Sequence, residues 1–245
     1  MSSAAYEIAK LDLTGDVLRV VQLTDTHLCA RDGGTLLGMD TDHSLQAVIE
    51  LVRGERPELD LVLGTGDLAD GGAREAYERL RDYFDGLCMA NFWLPGNHDD
   101  HDAMLSVTAG APRLYREIRA GQWQIVLLNS QVPGEVGGEL GAEELAFLEA
   151  ALAEGAKAGL HALVSLHHQP VTVGCGWLDE QMVSDASALC QLLDRYDGVR
   201  ALLWGHVHQE IDRDRNGVRL LASPSPCVQF APGCDKFQAD DLPPG

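Results

Sequence analysis

The chain has 245 residues, 45% hydrophobic and 23% charged, the make-up of a globular protein able to bury a sizeable core. Eighteen Lys and Arg face 38 Asp and Glu, for a formal net charge of −20. That balance excludes a general nucleic-acid binder, which needs a basic face to displace phosphate counterions, and disfavours docking to anionic lipid. No apolar run approaches the roughly 18 residues of a membrane span. The opening MSSAAYEIAK lacks a charged n-region and an apolar h-region, so no secretory leader is expected. Cys29, Cys88, Cys175, Cys190, Cys227 and Cys234 are scattered, with no Cys-x-x-Cys pair, and read as reduced thiols in a cytoplasmic protein.

In chain order, short apolar strands alternate with amphipathic helices. Val17–Leu23 reads as a strand running into Thr24-Asp25-Thr26-His27. Residues 41–54 read as a helix capped by Thr41 or Asp42, with Leu45, Val48, Ile49 and Val52 on one face. Leu59–Leu63 is a continuous apolar run, typical of a strand covered on both sides. A helix over 73–86 and a strand at Phe92–Leu94 follow, and Asp100, His101 and Asp102 read as a charged helix start. Leu114–Ile118 and Trp123–Leu128 read as an antiparallel pair across Ala120-Gly121. A Gly-rich loop, Pro133–Gly141, leads into a helix at 142–156.

Ala162–Leu166 and Ala201–Trp204 are further strands, with a helix at about 184–195 between them. Asn216-Gly217, between Ile211 and Val218–Leu221, signals a type I′ hairpin. That hairpin accounts for Asp212-Arg-Asp214 better than a calcium loop does, because the twelfth position would be Ser223 and not Glu. The tail Asp240–Gly245 reads as loose. Alternation first and hairpins later predict a layered α/β domain with mixed sheets.

Five blocks each put an oxygen or nitrogen donor just past an apolar strand. They are Asp25-Thr26-His27, Gly64-Thr65-Gly66-Asp67, Gly96-Asn97-His98-Asp99, His167-His168 and Gly205-His206-Val207-His208. The carboxyl ends of strands are where α/β sheets build their sites. Residues i and i+2 of an extended segment share a side, so Asp25 with His27, and His206 with His208, can reach one ion. Each block alone has a plain reading: a turn, a cap, a core histidine. Their joint occurrence, always after a strand, points to a metal site, and Asp, His and Asn without thiolate suit Fe, Mn or Zn.

In this order the five blocks resemble the calcineurin-like metallophosphoesterase superfamily, from about residue 17 to 210. From Leu166 to Phe237 the likeness narrows. LHHQPVTVGCGWLD and WGHVHQEIDRDRNGVRLLASPSPCVQF resemble the bacterial class III 3′,5′-cyclic-AMP phosphodiesterases. Gln169 departs from the His or Pro that relatives often carry there. The resemblance implies one metallophosphoesterase domain over 1–245, with catalytic blocks at 17–210 and a C-terminal hairpin and tail at 211–245. Its fold would be a four-layer α-β-β-α sandwich with two mixed central sheets.

The resemblance also implies two metal ions per chain, Fe or Mn first and Zn or Co as alternatives. Asp25, His27 and His208 would hold one ion, Asn97, His167 and His206 the other, and Asp67 both. His168 would lie behind the ligands, and Asp99 would orient His98. Asp70 reads as a loop charge or a cap. Substrate phosphate would lie against His27, Asp67, Asn97, His98 and His208.

The implied reaction is hydrolysis of 3′,5′-cyclic AMP to 5′-AMP by a metal-bridging hydroxide, with His98 as catalytic acid protonating the leaving 3′ oxygen. Two divalent ions, two carboxylates and a hydroxide leave the site at about +1, so a small anion is attracted despite the acidic surface. Polynucleotides are disfavoured. Cys175, Trp177 and Leu178 read equally as a base-binding wall or as core. The alternatives are a broader phosphodiesterase acting on 2′,3′-cyclic nucleotides or glycerophosphodiesters, and a non-catalytic scaffold. Oligomeric state stays open.

Overall fold

The computed structural model describes residues 7–56 and 58–245. Residues 1–6, part of the stretch read for a leader, lie outside the described residues. The first half runs β1 (Ile8–Leu11), β2 (Val20–Leu23), the short pair β3 (Thr35–Leu36) and β4 (Met39–Asp40), α1 (Thr41–Glu55), β5 (Leu61–Thr65), α2 (Arg74–Leu87), β6 (Asn91–Leu94) and α3 (His101–Thr108). The second runs β7 (Glu117–Ala120), β8 (Trp123–Leu127), α4 (Gly141–Lys157), β9 (His161–Ser165), the one-turn α5 (Gly176–Asp179) and α6 (Ala186–Leu193). It ends with β10 (Val199–Trp204), β11 (Ile211–Arg215), β12 (Val218–Ala222), β13 (Gln229–Phe230) and β14 (Ala239–Asp240).

The larger sheet has seven strands in the order β1-β7-β8-β9-β10-β12-β11. It is mixed, with antiparallel pairs β7–β8 and β11–β12 and parallel pairing elsewhere. The smaller sheet, β2-β5-β6, is parallel throughout, so the expectation of two mixed sheets holds for the larger one only. Its strands are joined by α1 and α2, and a helix crossover returns the chain in the same direction.

Side-chain alternation sets the layers. In β5, Leu61 and Leu63 point toward the larger sheet and Val62 toward the helices. In β6, Phe92 and Leu94 take the first direction and Trp93 the second. In β8, Ile125 and Leu127 face the smaller sheet while Val126 faces α4 and α6. Three apolar clusters result. One lies between the sheets. One joins the smaller sheet to α1, α2 and α3 through Leu45, Tyr77, Leu80, Phe84 and Met104. The third joins the larger sheet to α4 and α6 through Leu148, Leu152, Leu189 and Leu192. The order is helix, sheet, sheet, helix.

Several boundaries moved. The first strand of the smaller sheet starts at Val20, where pairing with Leu61 begins, and not at Val17. The α1 cap is Asp40, whose carboxylate accepts from His43 N at 2.9 Å. Asp42 lies inside the helix and binds Arg79 and Tyr83. The tail is not loose. Phe230 pairs with Ala239 and Gln229 with Asp240, and Gly245 N donates to Ser225 O. The hairpin at Asn216-Gly217 forms as expected, with both residues at positive φ (55° and 83°). All six cysteines are free thiols. No helix among the described residues is long and apolar enough to cross a membrane.

Candidate metal centre

All five blocks lie just beyond strand ends, at one edge of the paired sheets. Asp25 and His27 follow β2, Asp67 follows β5, Asn97 and His98 follow β6, His167 follows β9, and His206 and His208 follow β10. Parallel neighbours end together, so their following loops meet. Asp25 N donates to Gly66 O, and His27 N to Asp67 O. Gln22 ties the two sheets beneath this edge, donating to Thr65 Oγ1 and to Trp204 O.

Among the described residues the donor atoms converge in four overlapping groups of three. Asp25, His27 and His208 bring ligand atoms within 4.8 Å of one another, and so do Asp25, Asp67 and His167. His27 Nε2 and His208 Nε2 face each other at 3.3 Å, and His208 Nε2 is 3.3 Å from Asp25 Oδ1. Two nitrogens sharing one cation would sit about this far apart, given metal–nitrogen bonds of about 2.1 Å. Asp67 Oδ2 lies 3.3 Å from His167 Nε2 and 3.8 Å from His27 Nε2, so one carboxylate oxygen reaches both histidines. The His206 ring sits 5.2 Å from that of His167. Asn97 lies between Gly96 and His98, whose backbone N donates to Asp67 Oδ1 at 2.9 Å.

The residues present fit cations. Buried polar atoms are ordinarily paired, yet Asn97 Oδ1 and His167 Nε2 are buried without any hydrogen-bond partner. Backbone bonds set the tautomers. His167 Nδ1 donates to Thr65 O at 2.9 Å and His208 Nδ1 to Val228 O at 2.6 Å, so in each ring Nε2 is the nitrogen left facing the site. His206 Nε2 donates to Gln181 Oε1, which leaves Nδ1 free. The backbone is bent toward the same purpose. Asp25, His27, Asp67, His206 and His208 all have φ between 44° and 64°. Side chains other than Gly rarely adopt this region, at a cost on the order of 1 kcal/mol or more each. At Gly96 a Cβ would meet Asp67 Oδ1 at 2.2 Å, so the third loop closes on the site only without a side chain there.

The charges are mutually dependent. Burial opposes the charge on Asp67, but His167 and His27 hold its carboxyl well below the usual range. Burial likewise opposes ionised Asp25, and His208 outweighs it, holding the pKa down to about 2. Burial works against protonation of His167, yet Asp67 beside it lifts its pKa to about 9. For His27 and His206 burial wins, and they drop to about 4 and about 3.

The groups behind the site differ in part from expectation. His168 uses both ring nitrogens, with Ser130 Oγ at 2.8 Å and Val136 O at 3.0 Å, so of the adjacent pair His167 is the one whose Nε2 is left for a cation. Asp99 does not touch His98. It accepts from Leu68 N, Ala69 N, Gly96 N and Tyr77 Oη, locking the second block to the third. The partner of His98 is Asp70, whose Oδ1 lies 3.1 Å from Nδ1. Asp99 sits next to His98 in sequence, but its side chain points inward, whereas Asp70 arrives from the turn after Asp67. Also missed were Thr24 and Ser225, which bond Asp25 at Oδ2 and at the backbone O. Gln131, which donates to Gly96 O and Asp99 O, was missed too. Of these, Thr24 and Ser225 lie in stretches quoted from the sequence and Gln131 does not. Cys175 and Leu178 are fully buried core, while Trp177 is half-buried and packs edge-on against Phe230 and Phe237. Gln169 is buried, donating to Leu178 O.

Comparison with known proteins bears on this geometry. The model of the calcineurin-like phosphoesterase family matches residues 18–210. The chain is 46% identical over 226 residues to the 3′,5′-cyclic adenosine monophosphate phosphodiesterase CpdA of Pseudomonas aeruginosa, covering 92% of this chain and 82% of that protein. The protein of the same name from Escherichia coli (strain K12) is 44% identical over 238 residues, covering 96% of this chain and 86% of its own length. Among solved structures, a dimetal phosphatase from Danio rerio superposes with a TM-score of 0.65 at 16% identity, over 86% of this chain and 88% of that one, a likeness of fold.

Proposed function

Because the chain belongs to the calcineurin-like phosphoesterase family, we propose that it hydrolyses 3′,5′-cyclic AMP to 5′-AMP at a dimetal centre. The observation that carries the reaction class is the convergence of donors from separate strand ends around one shared carboxylate, Asp67. The likeness to the two cyclic-AMP phosphodiesterases, over more than nine-tenths of this chain, supports the substrate. Asp25, His27 and His208 would hold one ion, Asn97, His167 and His206 the other, with Asp67 between them.

Two divalent ions bound there would supply an acidified water and neutralise charge developing on the phosphoryl oxygens. The chain does the rest. The backbone bonds to His167 and His208 fix the ring faces before substrate arrives. His98 is too exposed for a structural ligand, its side chain being 43% accessible, and it stands at the rim beside His27 with ring centroids 4.8 Å apart. With Nδ1–H held by Asp70, His98 acts as the doubly protonated ring, giving its Nε2 proton to the departing 3′ oxygen and remaining neutral with the proton on Nδ1. The product keeps its phosphate on the 5′ side.

The test compares kcat/KM on 3′,5′-cAMP, 2′,3′-cAMP and a simple aryl phosphodiester. Preference for 3′,5′-cAMP supports the reading, and a much lower value on it than on the other two overturns it.

A further inference from the structure

Three aromatic rings stand together beside the candidate metal centre. Phe230 stacks flat on the imidazole of His208, with centroids 4.0 Å apart and an interplanar angle of 11°. Phe237 packs edge-on to Phe230 at 5.6 Å, and Trp177 packs edge-on to both, at 5.1 Å and 5.4 Å. Phe237 therefore lies within about 10 Å of the His208 ring, the reach from a nucleotide's phosphate to its base.

Phe237 is 53% exposed, and it is not exposed through looseness. Its segment is a closed excursion. Ala231 N donates to Gln238 O, and Phe230 pairs with Ala239. The buried Cys175 thiol donates to Cys234 O at 3.1 Å, fastening the excursion to the core. An anchored segment that holds a large ring half in water, against two further rings, is a stacking platform. Isolated exposed apolar side chains are ordinary, but a rigid aromatic cluster reaching a metal-site imidazole is not.

We propose that the exposed face of the Trp177–Phe230–Phe237 cluster binds the nucleobase of a nucleotide whose phosphate occupies the cation site. This rests on the phosphodiesterase reading for the identity of the ligand. It adds the residues that select a nucleotide over other small phosphate esters. Stacking accepts any base, so the cluster separates nucleotides from sugar phosphates and does not separate adenine from guanine.

The test is equilibrium binding to the Mn²⁺-loaded full chain, comparing 5′-AMP with ribose 5-phosphate, which has the same phosphate and sugar and no base. The wild-type chain is expected to bind 5′-AMP about tenfold more tightly or better. Phe237→Ala should erase that preference and leave ribose 5-phosphate affinity unchanged. Phe237→Leu, which keeps apolar contact with Trp177 and Phe230 but has no ring, should do the same, and Phe237→Trp should retain the preference. Equal wild-type affinities for the two ligands, or a Phe237→Leu chain that still prefers 5′-AMP, overturns the proposal. If the preference is present and depends on Phe237 while no cyclic nucleotide is turned over, the base site stands and the phosphodiesterase reading falls.

Discussion

His98 Nδ1 lies 3.1 Å from Asp70 Oδ1 at the rim of the candidate metal centre. The carboxylate holds the Nδ1 proton, so Nε2 is the nitrogen left for a leaving group. His98→Ala is expected to keep both metals and lower kcat by about 10²–10⁴-fold, most on substrates with poor leaving groups. Asp70→Asn should lower kcat by a smaller factor, about tenfold, and leave KM near its original value. Rates on diesters of graded leaving-group pKa, with metal content measured alongside, check both. A His98→Ala chain that cleaves a poor-leaving-group ester at the original rate removes the acid from the scheme.

Asn97 contributes an oxygen that is buried and has no hydrogen-bond partner. Asn97→Ala should lower metal occupancy and activity together. Elemental analysis after dialysis against a weak chelator reads it, and full occupancy with lost activity would assign Asn97 another role.

His167 is held protonated up to about pH 9 by Asp67, while His27 and His206 are already neutral at pH 7. A cation on His167 Nε2 must displace that proton. Metal uptake between about pH 7 and 8 should therefore release about one proton, and apparent affinity should rise with pH until about 9. Calorimetry in buffers of different ionisation enthalpy measures it. No proton release in this window would contradict the assignment of His167 as a ligand.

Asp99 gathers three backbone N–H groups and the Tyr77 hydroxyl, and burial lifts its pKa to about 6 with the Asp67 charge adding to the effect. Asp99→Ala would strand those donors and should destabilise the chain by about 3 kcal/mol, since each buried unpaired group costs on the order of 1–3 kcal/mol. Urea unfolding of the metal-free protein isolates this from metal binding, and an unchanged midpoint would refute it.

The strands that carry the five blocks were legible because each is a short apolar run cut off by glycine or by a polar donor, as at Leu59–Leu63 before Gly64, although the strand itself runs from Leu61 to Thr65. The i, i+2 rule brought Asp25 with His27 and His206 with His208 onto shared sides. Contacts between separate loops were not legible. Asp70 meets His98 across 28 positions and Ser225 meets Asp25 across 200, and no local pattern encodes such a meeting. Strand β1 escaped notice for the same reason, since its partner is β7, more than a hundred residues on. The parallel nature of the smaller sheet follows from its helix crossovers, and the late hairpins that suggested mixed sheets belong to the larger sheet alone.

Five of the seven donor residues sit in left-handed backbone, and main-chain bonds such as Asp25 N to Gly66 O and His27 N to Asp67 O brace two of those turns. A frame braced by its own main chain has little need of its guest to shape it. Chelated protein should then reload without refolding, and one transition metal should exchange for another with little rearrangement. Which element fills the centre in a living cell would be decided by what its surroundings supply, and less by selectivity in the chain itself.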